Sequence, residues 1–415
     1  MKLLIILKTA VPYELKSGGQ QAVYHMIDYL RHKMDISLLF PYQGEAKQTK
    51  VEDLQSNWAN VNFYIFKSSL NGNYLFKRII IRIYNKITAI MHTKIYKDYN
   101  ILDNELSGFD IPQGEYLDFI NNVIEKNEIE IVQTEFFTSL NLVYSLPEHV
   151  KKVFINHEIR FVRLKQVLEN SKEVTRRDVY KYNKIKSDEL SAMQKYDAIV
   201  LLSDIDRKKV IEEGLLSEKV FSSPVGIPNT KVDFRYTHKS NVLSFLGGTR
   251  HPPNVNGITW FLENVWEKIL EQEPEFELNV IGEWFLEYKN KLIKYRNVNF
   301  LGAVENLSEV LSGTIMIIPI LIGSGVRMKA MEGINEGCPI VSTHVGIEGL
   351  NFTSGRDCFI EDDPDLFAKR ILELNNNQEL KETFVTNSRE WYNNQYSIEK
   401  LGDKRFSIYE KIMKI

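Results

Sequence analysis

Cysteine is scarce in this chain: Cys338 and Cys358 are the two thiols among its 415 residues. Neither lies in a CxxC pattern or beside a cluster of histidines, which argues against a disulfide framework and a structural zinc site. Both lie in apolar, strand-like runs, where a thiol behaves as a small core hydrophobe. We therefore predict a protein of a reducing compartment, the cytoplasm.

Long apolar runs and a strong excess of charge are also missing. No stretch approaches the roughly 18 apolar residues that cross a bilayer. The opening MKLLIILK ends its apolar run at Lys8 without a small-residue cleavage site, which favours a buried first strand over a leader. A net charge of −3 gives no global attraction for nucleic acid, and we expect no such partner.

Short apolar segments alternate with longer helical patterns in both halves of the chain. This alternation predicts an α/β protein of βαβ units with parallel sheets, and the length exceeds one ordinary core, so we expect two domains. The predicted strands are 3–7, 35–40, 61–66, 129–134, 152–157 and 197–203 in the first half, and 242–247, 277–282, 298–302, 314–319, 339–343 and 357–360 in the second.

The segment 222–234 contains two prolines and a glycine, and we place the hinge between the domains there. We assign residues 1–225 to the first domain and 235–390 to the second. We expect the amphipathic end of the chain, a helix over 392–415, to pack back on the first domain. Ligands of open α/β sheets bind at the carboxyl ends of the strands, so this arrangement predicts a ligand in the cleft between the domains.

The segment 315–350 reads as a strand, a glycine-rich turn, a helix and another strand. Gly323 and Gly325 permit a sharp turn and a close approach of the backbone to a ligand. We expect the helix to begin near Val326 or Arg327, and its free N–H groups and positive dipole end suit an anion.

Two cations, Arg327 and Lys329, fall in the first turn of this helix, where the dipole alone disfavours positive charge. Their position indicates a bound anion. Glu332 follows and could accept hydrogen bonds from two ribose hydroxyls. The alternative is a plain strand, turn and helix with exposed Arg327 and Lys329, and spacing alone leaves both interpretations open.

The same segment resembles the donor-binding motif of glycosyltransferase family 4, in which two glutamates stand eight positions apart around a glycine-rich turn. The later glutamate matches Glu332 in KAMEGINEGCPIVST, and the resemblance implies that it binds the donor ribose. The earlier one falls at Ser324, where the chain departs from the pattern. The resemblance then leaves the backbone amides of Gly325, Val326 and Arg327 to hold the sugar hydroxyls.

A second resemblance covers FLGGTRHPPNVNGITWFLENVWE (245–267), which is similar to the first strand, loop and helix of the family's C-terminal domain. In that family the loop carries an arginine and a lysine for the donor diphosphate. This chain has Arg250 but no lysine before Lys268, so we expect Arg327 or Lys329 to supply the missing charge. The loop after Gly282 is expected near the nucleobase.

The first half resembles the family more weakly. Gly18 and Gly19 precede an amphipathic helix, and in similar enzymes this loop faces the donor across the cleft. His157 ends a predicted strand, where the family often has a histidine that contacts the donor sugar. Glu135, after another strand, is a further cleft candidate. A structural role is the alternative for each of these residues.

The segment 54–97 lacks Asp and Glu and contains seven basic residues. Within it, Lys77, Arg78, Arg82 and Lys86 run beside a face of isoleucines, which is typical of an amphipathic helix on anionic lipid. We expect these four residues to contact a membrane, at its inner face, or a lipid-linked acceptor. An ordinary packed helix with a solvated basic edge is an equal alternative.

The resemblance implies a GT-B fold of two Rossmann-like domains and a retaining glycosyltransferase that uses a nucleotide-sugar donor and a glycan or lipid-linked acceptor, in bacterial surface polysaccharide synthesis. No cofactor or metal is expected, because basic side chains hold the diphosphate. The alternatives are a sugar-nucleotide epimerase and a non-catalytic glycosyltransferase-like binding subunit. The predicted catalytic residues are His157, Arg250, Lys329 and Glu332, and the predicted donor-binding residues are Gly18, Gly19, Gly248, Arg250, Gly282, Gly323, Ser324, Gly325, Val326, Arg327, Lys329 and Glu332.

Overall fold

Two parallel β-sheets organise the chain. The computed structural model describes residues 1–15, 18–68, 102, 112–171, 173–224, 226, 239–304, 306–323 and 327–414. The strands of the first sheet are β1 (Lys2–Ile6), β2 (Asp35–Pro41), β3 (Val61–Phe66), β4 (Ile131–Glu135), β5 (Lys151–Asn156), β6 (Ala198–Leu201) and β7 (Val220–Ser222). Those of the second are β8 (Val242–Leu246), β9 (Glu277–Ile281), β10 (Val298–Gly302), β11 (Ile315–Ile318), β12 (Ile340–Ser342) and β13 (Phe359–Ile360).

The prediction of two parallel-sheet α/β domains is confirmed. All twelve predicted strands are found, with every end within two residues, and β7, a run of three residues without a periodic pattern, was missed. Several strands, such as β1 and β11, are almost wholly buried, as expected for strands covered by helices on both faces.

The helices in the described part of the chain connect the strands and cover both sheets. In the first half they are α1 (Gly18–Leu30), α2 (Gln48–Asn57), α3 (Gly114–Asn127), α4 (Arg160–Glu169), α5 (Arg176–Met193) and α6 (Asp204–Glu212). In the second half they are α7 (Pro252–Asn264), α8 (Trp266–Gln272), α9 (Leu286–Leu292), α10 (Leu307–Leu311), α11 (Met328–Asn335), α12 (Pro364–Asn375), α13 (Gln378–Gln395) and α14 (Ile398–Met413).

The strand order reverses once in each sheet. The first sheet runs β3-β2-β1-β4-β5-β6-β7 and the second β10-β9-β8-β11-β12-β13. The chain therefore leaves β1 and β4 toward opposite edges of the first sheet, and β8 and β11 toward opposite edges of the second. The loops that follow these strands border a crevice in each sheet. The loops after β1, β8 and β11 lead to most of the predicted donor residues, while His157 follows β5 and Gly282 follows β9.

The end of the chain contacts the first sheet's helices. The long C-terminal helical region is interrupted at Tyr396, and the Ser397 hydroxyl caps a new helix, α14, by accepting from the amide of Lys400 at 3.3 Å. This helix packs on α1: Gly402 has no side chain to collide with the Tyr29 ring, and the Tyr29 hydroxyl donates to the Asp403 carboxylate at 2.7 Å. The hinge predicted over 222–234 lies mostly outside the described residues.

The predicted membrane-contact residues, Lys77, Arg78, Arg82 and Lys86, also lie outside the described residues, so that expectation stays a prediction. Among the helices that are described, none is long and apolar enough to cross a membrane.

Candidate functional site

The turn after β11 holds a buried guanidinium. Gly323 has a φ of 139°, a backbone conformation that is strained for any residue with a side chain. A Cβ at this position would also lie 2.7 Å from the Arg327 guanidinium. Arg327 is 8% exposed, and its Nε donates to the carbonyl of Val345 at 3.3 Å. Burial lowers the pKa of Arg327, while the carboxylates of Glu158 and Glu348 oppose that shift. Arg327 is thus the residue directly before α11, and its guanidinium is a cation inside the protein.

Lys329 lies two residues further along the chain, in the first turn of α11. Its Nζ donates to the Asn254 side chain at 2.6 Å and lies 4.8 Å from the centre of the Phe245 ring. The Asn254 amide also donates to the carbonyl of Gly248 at 3.0 Å, so α7 ties the loop after β8 to the lysine. Burial, reinforced by the charge of Arg327, lowers the pKa of Lys329 to about 7. Without a bound anion, this site therefore disfavours the charge of Lys329.

Glu332 lies on the same helix, facing the first domain. Burial raises the pKa of Glu332, while the Gln21 side chain of α1 opposes that shift. The two helices approach closely beside it, since a Cβ on Gly18 would lie 2.8 Å from the Met328 side chain. The start of α1 thus contacts the first turn of α11, one turn before Glu332.

Arg250 does not join this buried group. Its side chain is 77% exposed and lies 3.3 Å from the Glu283 carboxylate. Gly248 and Gly282 belong to the same pair of loops, which pack backbone against backbone: a Cβ on Gly248 would lie 2.7 Å from the carbonyl of Glu283, and one on Gly282 2.9 Å from Gly247. Tight packing of the loops explains these two glycines, and their donor roles stay predictions.

His157 follows β5 and forms a pair with Glu135, which ends β4. The His157 Nε2 lies 2.8 Å from a carboxylate oxygen of Glu135, and the two side chains are 12% and 5% exposed. Phe136 stacks on the imidazole with ring centres 3.9 Å apart. Phe136 has a φ of 63°, a strained value for a residue with a side chain.

The start of α1 covers this stack. A Cβ on Gly19 would lie 3.1 Å from the Phe136 ring, so a larger residue there would displace it. The start of α1 and the loops after β4 and β5 thus meet, which brings the predicted residues Gly19, Glu135 and His157 close together.

Helix α4 carries residues that the sequence did not single out. The Gln166 side chain accepts from the amide of Gly323 at 2.6 Å, which connects the first domain to the turn after β11. The Arg163 Nε lies 3.2 Å from the Glu158 carboxylate, which is itself 4.0 Å from the His251 imidazole. Burial lowers the pKa of His251 to about 3, so the cations that interact with Glu158 are Arg163 of the first domain and Arg327 of the second.

A buried carboxylate fixes the position of α4. Glu189 of α5 is fully buried and accepts from the amides of Arg160 and Phe161, at the free N-terminus of α4, at 3.1 and 3.0 Å. Burial raises the pKa of Glu189 to about 7. Because α4 starts three residues after His157, this contact helps to set the edge of the cleft.

The predictions for three donor-binding residues and for the metal cannot be compared with the described residues. Ser324, Gly325 and Val326 lie outside them. Within the described part of the chain, no group of three or more His, Cys, Asp or Glu side chains is arranged to hold a metal ion, and independence from metal stays a prediction.

Residues 240–377 match the family model described as glycosyl transferases group 1. The second sheet and its helices therefore resemble a group 1 glycosyltransferase domain. The matched segment contains the loop after β8, the turn after β11 and all of α11, where Lys329 and Glu332 lie. The prediction of a glycosyltransferase is thereby confirmed, whereas the roles predicted for single residues are not tested by this match.

Relatives and solved structures extend the similarity to the whole chain. A protein of Klebsiella pneumoniae described as an uncharacterized 44.6 kDa protein in the cps region is 24% identical over 392 residues, which cover 91% of this chain and 92% of that protein. An uncharacterized glycosyltransferase of Methanocaldococcus jannaschii is 21% identical and covers 91% of this chain and 97% of its own. A variant of S. aureus TarM, solved with Fondaparinux, alpha-GlcNAc-glycerol and UDP, superposes with a TM-score of 0.67 at 11% identity over 98% of this chain and 99% of its own. The GT-B fold predicted for this glycosyltransferase is therefore confirmed.

Proposed function

We propose that the protein transfers a sugar from a nucleotide-diphosphate sugar to a glycan or lipid-linked acceptor, with retention of configuration at the anomeric carbon and without a metal ion. The observation that carries the proposal is the buried pair Arg327 and Lys329 at the start of α11, with Glu332 on the next turn. Two desolvated cations in a helix's first turn are unfavourable by themselves and become favourable beside a diphosphate.

Each of the three side chains has a task in this reaction. Arg327 and Lys329 neutralise the charge that grows on the diphosphate as it leaves, and a dry site strengthens that effect. Glu332 accepts hydrogen bonds from the ribose hydroxyls and so orients the donor. The complex of TarM with UDP supports a nucleoside diphosphate as the ligand of this fold.

The His157 and Glu135 pair lies at the ends of β5 and β4, on the first domain's side. A histidine oriented by a carboxylate can bond a sugar hydroxyl or stabilise charge near the anomeric carbon. In a retaining transfer the acceptor hydroxyl attacks on the face from which the diphosphate departs. Gly18 and Gly19, at the start of α1, then close the donor from the same side.

The described context of one relative supports the proposed acceptor. The Klebsiella pneumoniae relative belongs to a cps region, which supports a role in bacterial surface polysaccharide synthesis. A lipid-linked acceptor would agree with the basic segment around Arg78 and Arg82 and with a place at the inner face of the membrane.

A panel of UDP- and GDP-sugars tests the proposal. We expect one donor to be hydrolysed slowly to free nucleotide, with NMR showing the anomeric configuration of the donor in the released sugar. An epimerised donor would indicate an epimerase instead. Tight donor binding without turnover, even with an acceptor preparation, would indicate a non-catalytic subunit.

A further inference from the structure

A chain of buried hydrogen bonds joins the C-terminal helix to His157. The Tyr409 hydroxyl of α14 donates to Oε1 of Gln133. The Nε2 of Gln133 donates to Oε1 of Glu135 at 2.7 Å, and the other oxygen of Glu135 lies 2.8 Å from Nε2 of His157. Tyr409, Gln133 and Glu135 are 0%, 1% and 4% exposed, so water does not compete for these bonds.

The position of Gln133 is unusual for a central strand. Gln133 and Glu135 are two residues apart on β4 and therefore point to the same face of the sheet. Their neighbour on that face, Ile131, belongs to the core that also includes Tyr409. A polar pair in such a core is costly unless its atoms are bonded, and here all four side-chain N and O atoms of Gln133 and Glu135 have partners.

The donors and acceptors along the chain have a fixed direction. Oε1 of Gln133 can only accept, so the Tyr409 hydroxyl must donate, and burial raises the pKa of Tyr409 to about 12, which keeps its proton in place. Reversing the Gln133 amide would set two acceptor oxygens against each other at Glu135. Because a carboxylate oxygen accepts, the contact with Glu135 favours an Nε2–H donor on His157, which leaves Nδ1 as the other ring nitrogen.

We propose that Tyr409 is a positioning residue for the transfer reaction: through Gln133 and Glu135 it fixes the orientation and the tautomer of His157. The anchor of this arrangement is Arg405, one turn earlier on α14. Arg405 is 1% exposed and donates to the side chain and the carbonyl of Ser223 at 3.0 and 3.1 Å, which holds the helix in register with the first sheet. The kinetic consequence rests on the proposed function.

The variant Tyr409→Phe removes one hydroxyl and little volume. We expect kcat for donor turnover to fall by about tenfold to a hundredfold, because small misplacements of a catalytic group have effects of this size, while KM for the donor stays within about twofold. The matched control is Tyr196→Phe. The Tyr196 hydroxyl is equally buried and bonds Thr134 at 2.8 Å, on the opposite face of the same strand, so its loss should leave kcat unchanged.

A double-mutant cycle decides whether the effect passes through His157. In a His157→Gln background, Tyr409→Phe should lower kcat no further. An undiminished kcat in Tyr409→Phe, an equal loss in Tyr196→Phe, or a full additional loss in the His157→Gln background would overturn the proposal. If Tyr409→Phe does not fold, Gln133→Met breaks the same chain and serves in its place.

A measurement without turnover separates this inference from the proposed function. With ¹⁵N-labelled histidine, the His157 signals are identified by their loss in His157→Gln. The wild-type protein should show the tautomer with the proton on Nε2, and Tyr409→Phe should show a mixture of tautomers. An unchanged single tautomer in Tyr409→Phe would refute the positioning role even if no nucleotide sugar proves to be a substrate.

Discussion

Binding of a nucleotide sugar is expected to draw a proton onto Lys329. Burial and the Arg327 charge lower the pKa of Lys329 from 10.5 to about 7, so the free site loses this charge as the pH rises through 7. A diphosphate beside Nζ favours the charged amine and raises its pKa again. If the pKa returns to its ordinary value, donor affinity at pH 6 should exceed that at pH 8 by about tenfold, since each pKa unit is worth about 1.4 kcal/mol.

Calorimetry measures this effect directly. The donor is titrated into the protein in buffers of different ionisation enthalpy, and the dependence of the observed heat on the buffer counts protons. We expect an uptake of about one proton at pH 8 and about half a proton at pH 7. A nucleotide sugar is the proper ligand, because its diphosphate has no group that titrates in this range.

Two variants make the result specific to Lys329. Lys329→Arg keeps a cation that stays charged at every pH used, so it should retain binding and lose the pH dependence. Lys381→Met is the control. Burial also lowers the pKa of Lys381, to about 8, but this lysine donates to the carbonyl of Asn375, away from α11 in the sequence. The pH dependence of donor binding should therefore persist in Lys381→Met. Affinity independent of pH in the wild type, or an equal dependence in Lys329→Arg, would refute the reasoning.

Three further predictions concern the donor, the metal and the membrane. Glu332→Ala should weaken donor binding by about tenfold, as expected for a lost hydrogen bond to a charged group, and the protein should stay folded. The control variant Glu336→Ala changes a glutamate one helical turn later, and calorimetry should show that it binds the donor like the wild type. Donor turnover should be the same with and without EDTA, and recovery of lost activity by added Mg²⁺ would contradict this. The protein should float with anionic liposomes at low salt and less so after Arg78→Ala with Arg82→Ala; no flotation of the wild type would end the membrane hypothesis.

The sequence predicted those features that depend on residues close together in the chain. The near-continuous apolar strands predicted both sheets. The segment from Gly323 to Lys329 was singled out because glycine, cation and helix start stand within seven residues, and its donor role stays a prediction. The helix itself begins at Met328, next to the expected start, with Arg327 as its cap.

The contacts between distant segments were beyond the sequence. Gln166 and Gln21 reach the second domain only because α4 and α1 face it, and no pattern in their own segments marks them. Arg250 was expected beside the diphosphate because of its loop, yet its side chain pairs with Glu283 at the surface. The Gln133 side chain within an apolar strand was a visible anomaly, but its partner Tyr409 lies 276 residues away.

A crystal structure of the complex with UDP or GDP is the most direct test of the donor site. The account predicts both phosphates within hydrogen-bond distance of the Arg327 and Lys329 side chains, and the ribose hydroxyls on the Glu332 carboxylate. A nucleotide bound away from α11, with Arg327 and Lys329 unaltered, would contradict it.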